Sequence, residues 1–196
     1  MKRSFIIIVI LATISLLVIW FFIHETVNLP KPRGYFRIEL PEKNYFKFDS
    51  SCPVEFEIPS YGKMEIFQDS IRADSCRFNV FMPRFKARIH CTYMPVGSNF
   101  NKLINDAYGF AAKHEMKASG LKRTLIEDQQ RRVFGIVYEI EGDAASQMQF
   151  FLTDSVNHFF RGSLYFYNSP NADSIAPVLN FLNDDIMRVA QTLQWK

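Results

Sequence analysis

Within TDSVNHFFRGSLYFYN, residues 153–168, Asp154, Ser155, His158 and Arg161 fall inside eight consecutive positions. An acid, a hydroxyl and an imidazole are the residue types of a hydrolytic triad, in which a base takes the proton of the nucleophile and an acid orients the base. The guanidinium adds a group suited to holding an anion. A triad also demands defined geometry, and a tight turn leaves these side chains little freedom to reach it. Ser155 further lacks the G-x-S-x-G elbow that exposes a nucleophile on a strained turn. The stretch therefore reads as strand, turn, strand, with Asp154, Ser155 and Asn157 bonding the nearby backbone as turn residues do. His158 leaves the turn within reach of Asp154, so a pair there would brace the hairpin. Alternation puts Phe160, Gly162, Leu164 and Phe166 on one face, and Phe159, Arg161, Ser163, Tyr165 and Tyr167 on the other. Together with Tyr35 and Phe36 upstream, His158, Arg161, Tyr165 and Tyr167 are the candidate interaction surface.

No catalytic residue is assigned, and no cofactor is expected. The chain has no CxxC or Cys/His spacing of a zinc site. Three cysteines allow one disulfide and one leftover thiol. Cys52 and Cys76 each stand at the start of a strand pattern (CPVEFEIP and CRFNVFMP), whereas Cys91 lies inside ARIHCTYM, where a small buried thiol fits. That pattern favours Cys52–Cys76 as the pair.

The elements that must position these residues begin with FIIIVILATISLLVIWFFI, residues 5–23, which carries no charge. At about 1.5 Å rise per residue this run spans roughly 29 Å, against a hydrocarbon core of about 30 Å. Lys2 and Arg3 precede it while His24 and Glu25 follow, so the positive-inside bias keeps the N-terminus cytoplasmic and sends the rest outward. A cleaved signal would have a shorter apolar region and an A-x-A-like site. A lipoprotein signal would need a cysteine just after the run, and the first is Cys52. The expectation is a single-pass inner-membrane protein with a periplasmic domain, with a lipoprotein or a cleaved periplasmic form as the alternatives. Residues 1–27 are the anchor, 28–49 a Pro/aromatic linker and 50–196 one domain.

The formal charge of +3 falls to +1 beyond Lys2 and Arg3, which excludes strong nucleic-acid electrostatics. Three of the twenty phenylalanines (Phe5, Phe21, Phe22) lie in the anchor, and the rest supply an aromatic core. NLPKPRGYFRIELPEKNYFKFD (28–49) carries three prolines and reads as extended chain lying against the domain. VEFEIP (54–59), GKMEIF (62–67), RFNVFMP (77–83) and KARIHCTYM (86–94) are strand patterns. Arg84, Lys86 and Arg88 read as a solvated strand face.

GSNFNKLINDAYGFAAKHEMKASG changes to helical period, with Ser98 or Asn99 as cap, Gly120 as stop and His114 packed on the apolar stripe. Strands return with RVFGIVYEI (132–140), QMQFFLTD and HFFRGSLYFY. A closing helix runs through DSIAPVLNFLNDDIMRVAQTLQWK, capped by Asp173, with Pro177 in its first turn. Every strand-to-strand link is short, so pairing is antiparallel. The class is α+β, a mostly antiparallel sheet with packed helices, preceded by one transmembrane helix.

The segments LPKPRGYFRIELP, FDSSCPVEFEIPSY, INDAYGFAAKHEMKA, SQMQFFLTDSVNHFFRGSLYFYNSPNADSIAPV and TLQW together resemble GldD, a gliding-motility lipoprotein family of Bacteroidetes. The resemblance covers residues 29–196, with TDS–H–FRG–LYF–PN–DS its most specific part. It implies an envelope component linked to gliding and the associated type IX secretion system. It also implies no enzymatic activity, no cofactor, and a disulfide at Cys52 and Cys76. Its implied partners are the membrane and other gliding or secretion envelope proteins. The order of elements is also similar to the PsbP/Mog1-type sandwich. The expected role is non-catalytic docking and assembly; the alternative is a periplasmic binding module for a small lipid or envelope polymer.

Overall fold

The computed structural model describes residues 2–24, 37–48, 52–67, 75–115, 118–167 and 172–196. Tyr35, Phe36 and the side chain of His114 lie outside the described residues. The chain divides into two compact units, Met1–Phe36 and Arg37–Lys196. In the first, helix α1 (Lys2–His24) contains the span Arg3–Phe21, of mean hydropathy 2.8, long and apolar enough to cross a membrane.

The second unit is α+β with antiparallel sheets, as the short links require. Its small sheet is built from β1 (Tyr45–Phe48), β2 (Val54–Pro59) and β10 (Gln194–Trp195), in the order β1-β2-β10. The extended chain read as a linker thus ends in a paired strand, and the last residues after the closing helix form another.

Seven strands make the large sheet: β3 (Lys63–Ile66), β4 (Cys76–Met82), β5 (Ala87–Pro95), β6 (Gly120–Asp128), β7 (Val133–Glu141), β8 (Met148–Thr153) and β9 (His158–Phe166). Their order is β3-β4-β5-β9-β8-β7-β6, with every neighbouring pair antiparallel. Helix α2 (Phe100–Glu115) follows a short 3-10 turn, and α3 (Ala172–Thr192) precedes β10.

Three local expectations are corrected. Gly120 opens β6 rather than stopping a helix, and Leu121, Lys122 and Arg123 lie in the first half of that strand. Asp173 lies inside the first turn of α3, not at its cap, because the helix starts at Ala172. Pro177 consequently falls in the second turn, where its missing N–H removes a bond to the carbonyl of Asp173.

The main core lies between one face of the large sheet and a layer made of the small sheet and α3. Phe48, Phe56, Phe78, Phe160 and Phe150 form its centre, with successive ring centroids 5.7–5.9 Å apart. Gly162 is required here: a Cβ at that position would collide with the Phe150 ring. On the opposite face α2 covers Tyr138, Phe151 and Phe159 with Ala107 and Ala111. The face of β3, β4 and β5 on that same side carries polar and aromatic side chains instead, and it is there that the site is assembled.

Candidate functional site

The β8–β9 connection is turn chemistry. Asp154 Oδ1 accepts the backbone N–H groups of Val156 (3.0 Å), Asn157 (2.8 Å) and His158 (2.8 Å). Burial works against its charge, but these three donors prevail and hold the carboxyl below the usual carboxylate range. Thr153 Oγ1 accepts from the Ser155 N–H at 2.9 Å and donates to the His158 carbonyl at 2.6 Å. Ser155 takes a left-handed backbone, φ 66°. Asp154, Ser155 and His158 are therefore not arranged as a triad. Asp154 does brace the hairpin, through the backbone of His158 rather than its ring.

The His158 ring points to the other side of the sheet from Arg161, Tyr165 and Tyr167. Its Nδ1 lies 2.8 Å from Tyr93 Oη, and it stacks on Trp195 with centroids 5.1 Å apart and planes 10° from parallel. Trp195 is held by an Nε1–H bond of 3.0 Å to the Arg132 carbonyl and by the pairing of β10 with β2. The sequence-predicted surface is thus split. Arg161, Tyr165 and Tyr167 share a face, His158 does not, and Tyr35 and Phe36 are not described.

On the shared face the register aligns Glu65, Asn79, His90, Ser163, Gln149, Tyr138 and Arg123 in one row across all seven strands. Glu65 Oε2 accepts from Asn79 Nδ2 at 3.2 Å and from Arg88 Nε at 2.9 Å, while its Oε1 accepts from Arg88 Nη2 at 3.1 Å. The two Arg88 bonds hold Glu65 below the ordinary carboxylate range.

A carboxylate only accepts, so the Asn79 amide nitrogen faces Glu65 and its oxygen faces His90 Nδ1, 2.8 Å away. His90 therefore carries its proton on Nδ1 and a lone pair on Nε2. Burial, seconded by the charge of Arg88, lowers its pKa and keeps the ring neutral near pH 7. Arg88 lies between the rings of Phe81 (4.0 Å) and Tyr167 (4.6 Å), and His90 meets Tyr165 edge-on at 5.4 Å. Arg88 is thus a packed, paired arginine rather than one charge of a solvated strand face. Glu65, Asn79 and His90 escape sequence reasoning because nothing local marks them. Alternation within each strand was the available signal, but only the register joins them.

Arg161 sits where this face meets α2. Its guanidinium stacks 4.6 Å from the Phe110 ring centroid and forms no ion pair with a described residue. Burial lowers its pKa. Cavities of about 190 Å³ and 430 Å³ flank it, both walled by Phe110.

Elsewhere, buried Asp185 of α3 accepts Tyr45 Oη–H at 2.7 Å and Tyr61 Oη–H, with Lys43 Nζ 3.8 Å away. Burial raises the Asp185 pKa and, with the carboxylate beside them, those of both tyrosines. This cluster ties β1, the residue Lys43 ahead of it and the β2–β3 turn to α3. Cys52 and Cys76 are joined as a disulfide with Cα atoms 5.8 Å apart; Cys91 is buried and free, its thiol pKa pushed up by burial. Among the described residues no group of three or more His, Cys, Asp or Glu side chains is placed to hold a metal ion.

No curated protein matches the chain. The family described as gliding motility lipoprotein GldD matches residues 25–195, which spans the whole described α+β unit up to Trp195. With that match and its apolar N-terminal helix, the chain belongs to the GldD gliding motility lipoprotein family and is a cell-envelope protein associated with gliding motility.

Proposed function

We propose that the chain is a non-catalytic docking component of the gliding machinery and its associated type IX secretion system. In this reading α1 anchors it in the inner membrane and residues 37–196 lie in the periplasm. The observation that carries the docking role is the β3–β4–β5–β9 face, where Phe81, Arg88, Tyr165 and Tyr167 gather on a framework ordered by Glu65, Asn79 and His90. Arginine and tyrosine are the residues that most often carry interface energy, and a framework already ordered lowers the entropic cost of binding. Tyr167 and, at the adjoining edge, Ile66 and Phe67 are about half exposed, so apolar surface is available there to bury.

A transmembrane anchor rather than a lipid is supported by the cysteines. Cys52, the first in the chain, is buried and engaged with Cys76, so it offers no thiol for acylation.

The test is site-specific photo-crosslinking in the living bacterium from Tyr167 and, as a control on the far edge, from Leu125. Crosslinks to envelope proteins from position 167 that disappear in an Arg88→Ala/Tyr165→Ala variant, with type IX export and surface movement lost in parallel, are expected. Equal crosslinking from both positions, or full export and movement in the double variant, would sink the assignment.

A second reading, a binding module for a small lipid or envelope polymer, is favoured by one observation, the cavities on either side of Arg161.

A further inference from the structure

Register places Arg77, Thr92 and Arg161 in one row on β4, β5 and β9. Adjacent strands are about 4.8 Å apart, so the two arginines rise on either side of a short residue, roughly 10 Å from each other at their Cα atoms. Thr92 leaves a notch between them and places a hydroxyl on its floor. This notch is the polar end of the cavity of about 430 Å³, a volume within the range of small-molecule sites. The next row on the same face is Met94 and Phe159, and Leu103 of α2 closes over them, so the other end is apolar.

Neither Arg77 nor Arg161 forms an ion pair with a described residue. Arg161 is partly buried, and a charged group held away from water is costly, so an anion arriving between the two arginines recovers part of that cost. The lining also includes Asp106. Two guanidinium groups against one carboxylate leave a single positive charge, which a monoanion neutralises and a dianion oversteps.

We propose that this cavity binds a monoanionic amphiphile, an acyl carboxylate, with its head group between Arg77 and Arg161 over Thr92 and its chain along Met94, Phe159 and Leu103. The proposal rests on the small-lipid reading of this cavity and is independent of the docking face, which is read out by crosslinking.

Calorimetric titration of octanoate into the full-length chain in phosphatidylcholine nanodiscs, corrected by empty nanodiscs, tests it. Saturable one-to-one binding is expected, weakened about tenfold or more by Arg161→Gln, as loss of a charge-assisted contact implies. Octanol should show no saturable binding, and octyl phosphate should bind more weakly than octanoate. Arg77 is exposed, so Arg77→Gln keeps the fold and serves if Arg161→Gln does not; it too should weaken octanoate. Absence of saturable octanoate binding, unchanged affinity in the arginine variants, or octanol binding as tightly as octanoate would overturn the site. Tighter binding of octyl phosphate would overturn its assignment to a carboxylate. Titration with free acetate separates a simple anion site from an amphiphile site: acetate matching octanoate removes the role of the apolar wall.

Discussion

Asp154 shows how one side chain can look catalytic and act as a fastener. Its Oδ1 gathers three backbone donors within 3.0 Å, and a charged acceptor makes each bond stronger than a neutral one. Asp154→Asn keeps an acceptor but loses the charge, so a stability loss of about 1–2 kcal/mol at pH 7 is expected in chemical denaturation. The pH dependence has a definite sign. The folded-state pKa is depressed, so the stabilisation is fully present above the unfolded value of about 3.9 and fades as pH falls through the folded one. The gap between wild type and variant should therefore close below about pH 4; a gap that stayed constant down to pH 2 would show that the charge is not the cause. Sequence proximity of Asp154 and His158 was enough to foresee a brace. That the ring would leave for Tyr93 and Trp195 was not foreseeable, because both partners arrive from distant strands.

Among the elements, β1 depends on α3 for more than its pairing with β2. Tyr45 and Tyr61 both donate to Asp185, and Lys43 reaches the Phe181 carbonyl at 2.8 Å and Asp184 at 2.7 Å. Tyr45→Phe or Tyr61→Phe should each cost about 1.5–3 kcal/mol, the range for a hydrogen bond to a charged group. Removing both leaves a buried carboxylate short of donors, so the double variant should lose more than either alone. Hydrogen exchange should then show early opening at residues 43–48; protection unchanged from wild type would mean that pairing with β2 alone holds the strand. The same scale explains why β6 and β10, like β1, were not read as strands from the sequence. β6 is an edge strand with Lys122, Arg123 and Glu127 in water, so its alternation is faint, and β10 is two residues long and owes its conformation to β2.

For the whole molecule the question is how the chain is held in the envelope. The family description speaks of a lipoprotein, whereas the cysteine nearest α1 is occupied in a disulfide. Full-length protein should stay with the membrane through alkaline carbonate extraction, take up no labelled palmitate, and remain bound after Cys52→Ser. Charging the helix interior with Leu11→Arg and Ile14→Arg should release it, since each arginine at the centre of a bilayer costs about 2.5 kcal/mol or more. Palmitate labelling that vanishes in Cys52→Ser would reverse the anchor assignment.

The sequence by itself determined whatever depends on near neighbours along the chain. It set the apolar run of α1, the alternation of β2, β4, β5 and β9, the helical period of α2 and α3, the turn at Asp154, and the family to which the chain belongs. Alternation even sorted Arg161, Tyr165 and Tyr167 onto one face. Only the tertiary structure decided which strands became neighbours, and therefore what those side chains meet. Strand order β3-β4-β5-β9-β8-β7-β6 sets Glu65 beside Asn79 and His90, and brings Arg77 to the same row as Arg161. The reason is physical: period-two alternation fixes the face of a residue within its own strand, while partner and register are settled by packing between segments far apart in the chain.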